Sequence, residues 1–106
     1  MIQADGNFYL VDGSKTLYES STYIYSIPSI HDAESVVYTN IYVLLTSDPN
    51  EGHIAVREER FSFADLNGYA ATGAEHIDKV YNQVEQAVVD YLEGIAGNTG
   101  ITFTIS

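Results

Sequence analysis

The sequence predicts an α+β fold: a largely antiparallel β-sheet, or a small barrel or sandwich, packed by one long amphipathic helix near the C-terminus and closed by a final strand. Three observations predict it. Four runs rich in β-branched and aromatic residues precede residue 64, one later segment repeats its apolar residues at helical spacing, and "ITFTI" ends the chain with strand composition.

The strand runs come first. "NFYLV" is short and aromatic. "KTLYESSTYIYSI" reads as one long strand, with Tyr23, Tyr25 and Ile27 on one side and Thr22, Ile24 and Ser26 on the other. "SVVYTNIYVLLT" is the most apolar run, and "HIAVREERFSF" follows it across a turn. Asp5-Gly6, Asp12-Gly13, "SDPNEG" and "GNTG" carry the turn chemistry between them: glycine supplies positive φ, proline presets φ, and aspartate bonds to nearby backbone.

The helix is "TGAEHIDKVYNQVEQAVVDYLEG". Ile77, Val80, Tyr81, Val84, Ala87, Val88, Tyr91 and Leu92 recur three and four residues apart and form one stripe. Thr72 and Glu75 fit a capping box, and Gly94 or Gly97 supplies the stop. The opposite face is polar, with Val89 as an apolar residue on the wet side. Some 21 helical residues span about 32 Å, matching a strand of about ten residues. One helix therefore lies along one sheet.

At 106 residues, 45% of them hydrophobic, the chain is a single domain, 1–106, with enough apolar content for one core. No apolar run approaches the ~18 residues of a membrane span, so no membrane partner is expected. The start, "MIQADGNFYL", lacks the basic and apolar regions of a secretory signal, so the expected location is the compartment of synthesis, the cytoplasm. Absence of cysteine excludes disulfides, thiolate metal sites and a thiol nucleophile. Fifteen acids against four lysines and arginines give a net charge of −11, too few cations to neutralise a row of phosphates, so no direct nucleic-acid binding is expected.

"SVVYTNIYVLLT" poses a covering problem. Val37, Ile41, Val43 and Leu45 alternate with Val36, Tyr38, Tyr42 and Leu44, so both sides of the strand are apolar. Such runs mark strands covered on both faces, and one helix covers one. Leaving about 400 Å² of apolar surface wet forgoes on the order of 10 kcal/mol, comparable to the stability of a whole domain. Either the N-terminal hairpin folds over as a second layer, or another copy or protein supplies the cover. Nine tyrosines fit a contact surface, since each has an apolar body and a polar tip.

"VREERFSF" holds half of the chain's four basic side chains. Strand alternation puts Arg57 and Glu59 on one side and Glu58 and Arg60 on the other, one charge of each sign per face. Exposed ion pairs of this kind are worth at most about 1 kcal/mol each. Contacts to acids on a neighbouring subunit would instead set its register. The candidate interface is therefore Arg57, Glu58, Glu59 and Arg60 together with Tyr23, Tyr25, Tyr38 and Tyr42.

No catalytic constellation is expected. Adjacent strand residues Glu58 and Glu59 face apart and cannot flank one bond. His31, His53 and His76 lack metal-ligand spacing. Asp48, Asn50 and Glu59 match positions of a calcium loop, but His53 stands where that loop needs glycine. A looser calcium site at Asp48, Asn50 and Glu51 is a secondary option. No phosphate loop or nucleophile elbow is present, so the expectation is a non-enzyme with no metal and no cofactor.

In the order hairpins, capped helix "TGAEHIDKVYNQVEQAVVDYLEG" and last strand "ITFTI", the chain resembles small structural (virion) proteins of tailed bacteriophages. The likeness covers the order of elements across most of the chain and carries no diagnostic motif. It implies a head–tail connector, tail or accessory component, located in the virion, in a symmetric homo-oligomer or against other structural proteins. The alternative is a soluble binding module with a tyrosine-lined sheet groove for a glycan or peptide. A third option is an accessory domain presenting acids to a basic enzyme.

Overall fold

A computed structural model of the chain describes residues 1–11, 13–62, 66 and 76–106, with residue 32 and residues 76–82 described by backbone alone. Its elements are β1 (Ile2–Ala4), β2 (Phe8–Val11), β3 (Lys15–Tyr18), β4 (Tyr23–His31), β5 (Val36–Leu44), β6 (Ala55–Ser62), α1 (His76–Glu93) and β7 (Phe103–Ile105). Five strands form one antiparallel sheet in the order β6-β5-β4-β1-β7, and β2 with β3 forms a separate hairpin. This is the α+β fold expected, with one helix before the last strand. The capping residues Thr72 and Glu75, and Phe63 at the end of "VREERFSF", lie outside the described residues.

Two strands expected as one are separate. "KTLYESSTYIYSI" breaks between β3 and β4, where the Thr22 hydroxyl and N–H both donate to the Glu19 carbonyl, at 2.6 and 3.1 Å. Such side-chain-to-backbone bonds let Ser and Thr turn a chain that strand propensity would extend. The break lets β4 continue to His31 and pair with β5 over nine residue pairs, Tyr23↔Leu44 to His31↔Val36. The turn read in "SDPNEG" is a 3₁₀ turn at Pro49–Glu51, whose Asp48 carboxylate accepts the Asn50 N–H at 2.9 Å. Gly13, at φ +89°, turns the β2–β3 hairpin.

Register sorts the side chains into two faces. Ile24 lies opposite Val43, and Val43 opposite Ala55, so these residues share a face with Val37 and Ile41. All five are buried on this core face. Val84, Val88, Val89 and Leu92 of α1 join them in one cluster, as do Ile2, Ala4, Leu66 and Phe103. Val89 is thus not on a wet side: it is 4% exposed. The buried arc is wider than one stripe because the helix meets more than a sheet. Phe8 and Leu10 of the hairpin belong to the same cluster, with the Phe8 ring edge-on to Phe103 at 5.7 Å.

Asn98 joins hairpin to helix. Its Oδ1 accepts the Tyr9 N–H at 2.7 Å, and its Nδ2 donates to the Tyr9 carbonyl at 3.0 Å and the Leu92 carbonyl at 2.8 Å. The side-chain amide therefore acts as a strand partner for β2 while satisfying a carbonyl at the helix end, where backbone partners run out. Both the helix and the hairpin lie on the core side of the sheet. Among the described residues, the hairpin does not roof the other face.

Candidate functional site

The other face, here the outer face, is built by alternate residues of three strands. Tyr25 lies opposite Tyr42, Ile27 opposite Asn40, Ser29 opposite Tyr38, Tyr42 opposite Val56, Asn40 opposite Glu58 and Tyr38 opposite Arg60. Six of the eight residues read from the sequence as an interface, Tyr23, Tyr25, Tyr38, Tyr42, Glu58 and Arg60, therefore share this face. Arg57 and Glu59 stand on the core face, at the sheet edge beside the helix.

The outer face is partly roofed by the loop between β5 and β6, a cover that strand patterning does not reveal. The His53 ring packs on Tyr42 at 4.8 Å, and Pro49 and His53 line a cleft of about 250 Å³ with Tyr25, Ile27, Tyr42 and Leu44. Beneath this loop Leu44 is 2% exposed. At the other end of β5, Val36 is 1% exposed, and nearby the His31 ring stands edge-on to Tyr38 at 4.8 Å. Neither Val36 nor Leu44 belongs to the main cluster, so each is sheltered from the outer side. Both histidines thus serve as aromatic packing partners of tyrosines, a role that their sequence spacing does not suggest.

Between these sheltered ends the face stays open. Ile27 is 48% and Val56 41% exposed, and the adjoining loop adds Leu45 at 67% and Ile54 at 49%. These are four of the six large hydrophobic residues exposed among the described residues, the others being Leu17 and Ile105. Single exposed apolar residues need no explanation, whereas Ile27 and Val56 exposed on one face with half-buried tyrosines are the kind of surface that contacts use. Tyr38 donates its hydroxyl to Glu34 at 3.3 Å, which fixes the ring at the polar margin of this group.

The edge strand has its own electrostatics. Arg57 donates from Nε and Nη2 to one Glu59 oxygen at 3.4 and 3.3 Å, an ion pair with both side chains partly exposed. Burial raises the Tyr91 phenol above its ordinary value, the Glu59 charge pushes it the same way, and Arg57 offsets part of the rise. Phe61, Ala87, Asp90 and Tyr91 line a shallow cleft of about 350 Å³ between β6 and the helix. On the outer face Glu58 and Arg60 are exposed and make no ion pair among the described residues.

Chemistry is sparse around these clefts. Among the described residues no group of three His, Asp or Glu side chains is placed to hold a metal ion, and no helix is long and apolar enough to cross a membrane. No family model, curated protein or solved structure matches the chain.

Proposed function

We propose that this chain is a non-enzymatic building block of a symmetric protein assembly, whose copies meet across the outer face of the five-stranded sheet. The observation that carries this reading is the exposure of Ile27 and Val56, set with Tyr25 and Tyr42 on a face that, among the described residues, helix and hairpin leave uncovered. The proposed setting is a tailed-phage virion, as a head–tail connector, tail or accessory component, because the element order resembles such proteins. A net charge of −11 suits that setting, since DNA passing an acidic wall does not adhere.

A double variant, Ile27→Glu with Val56→Glu, tests the face. Both positions are exposed in the single chain, so folding is expected to survive within about 0.5 kcal/mol per surface change. Association is expected to weaken by roughly a hundredfold, because each new carboxylate must be desolvated at the contact. Sedimentation velocity reads both outcomes. An unchanged mass distribution in the folded variant would remove this face from the assembly.

A second reading has an observation of its own. The cleft formed by Tyr25, Ile27, Tyr42, Leu44, Pro49 and His53 offers a tilted Tyr42–His53 ring pair and apolar side chains, as a glycan or peptide site does. A persistently monomeric chain that binds oligosaccharides or peptides, and loses them on Tyr42→Ala, would favour this binding-module reading.

A further inference from the structure

Strand β6 ends the sheet and, among the described residues, pairs only with β5. Over Ala55–Phe61 it is, among the described residues, a longer open edge than the three-residue β7 at the other end. An open edge of this length is a template for another strand unless something blocks it. Charges usually do the blocking. Here they block most pairings and favour a few.

The order Arg57-Glu58-Glu59-Arg60 reads the same in both directions. When two copies of β6 run antiparallel about a two-fold axis normal to the sheet, facing residues share a face, so the axis must pass through a residue pair of one kind. An axis at Arg57 or at Arg60 sets arginine against arginine. With the axis at Glu59, Glu58 of each copy lies opposite Arg60 of the other, twice over on the outer face. That register engages the two charges left without an ion pair in the single chain. It also keeps the Arg57–Glu59 pair, whose guanidinium tempers the two Glu59 carboxylates meeting at the axis. An axis at Glu58 would instead compete with this existing pair.

We infer that β6 pairs antiparallel with β6 of a second copy, centred on Glu59, to make one continuous ten-stranded sheet. The inference rests on the assembly reading above and specifies one contact within it. The chain's overall charge singles out this site: two molecules at −11 repel, yet Val56–Phe61 carries no net charge and holds half of the four lysines and arginines. Pairing here aligns the two outer faces into a single tyrosine-lined surface and sets both helices on the opposite side. The partner's strand also extends the wall beside the cleft of Phe61, Ala87 and Tyr91. The recognition is strand addition, with main-chain bonds giving affinity and the Arg–Glu pairs giving register.

The cysteine-free chain makes the register directly readable. In the Glu59→Cys variant, the two thiols face each other across the axis at about 5 Å between Cα atoms, within disulfide reach. In Glu58→Cys, a two-residue offset separates them by about 8 Å, beyond it. Mild oxidation is expected to link the first into a covalent dimer and to leave the second unlinked. Separately, Arg60→Glu is expected to weaken dimerisation by roughly tenfold or more, and the compensating Glu58→Arg, Arg60→Glu variant to restore it. That compensated chain should dimerise with itself and form no mixed dimer with the wild type. An assembly that persists without a Glu59→Cys disulfide, or that ignores Arg60→Glu, overturns the edge pairing and keeps the outer-face reading. A wild type that stays monomeric overturns both.

Discussion

Replacing Asn98 by alanine is expected to destabilise the fold by about 3–4 kcal/mol, through buried polar groups left without partners at about 1–3 kcal/mol each. The side chain is 1% exposed and makes three hydrogen bonds, two with the backbone of Tyr9 and one to the Leu92 carbonyl. Alanine removes all three and leaves a donor and two acceptors facing a gap of side-chain size. Aspartate is the sharper control: it keeps an acceptor for the Tyr9 N–H but turns a carboxylate toward two carbonyls, so its cost should equal or exceed that of alanine. Urea unfolding followed by circular dichroism measures both. A loss below about 1 kcal/mol for either variant would show that the hairpin docks without this bridge.

The second large effect lies on the same joint. Phe8→Ala is expected to cost about 3–5 kcal/mol, the usual range for emptying a buried phenylalanine site. Phe8 is fully buried, with Phe103 edge-on at 5.7 Å and Tyr18 tilted at 5.9 Å, and such ring pairs add to the area term. A domain of ordinary stability has 5–15 kcal/mol in all, so the hairpin should detach well before the rest of the sheet unfolds. Leu17→Ala in the neighbouring strand is the matched control. That side chain is 51% exposed, and its loss should shift the unfolding midpoint little. Equal losses for Phe8→Ala and Leu17→Ala would mean that the hairpin contributes little to the core.

These two residues show where the sequence is legible and where it is not. Strand alternation assigned Tyr23, Tyr25 and Ile27 to one side, and the register bears that out. It also divided Arg57 and Glu59 from Glu58 and Arg60, as found. The helix followed from periodicity, because a 3.6-residue repeat is a local property. Long-range pairing was less visible. β1 is three residues in a stretch with no repeat, and β4 and β7 on either side give it its strand form. "GNTG" read as turn punctuation, since the partners of Asn98 lie six and 89 residues away. The two-sided apolar pattern of β5 did identify a strand needing shelter on both faces. It could not show that the loop carrying Pro49 and His53 folds back to cover one end.

That partial cover refines the argument for assembly. Val36 and Leu44 at the two ends of β5 are already buried within the single chain, and the middle, around Ile27 and Val56, is the part a second copy would dry in the proposed assembly. In the proposed assembly the edge strand would set how copies approach, because its charges oppose registers that do not match arginine to glutamate.

The most direct measurement is the molar mass of the unmodified chain by light scattering across a range of concentrations. The account predicts a defined multiple of 11.7 kDa that falls toward the single-chain value on dilution. A constant 11.7 kDa at every concentration, from a fully folded sample, would contradict it.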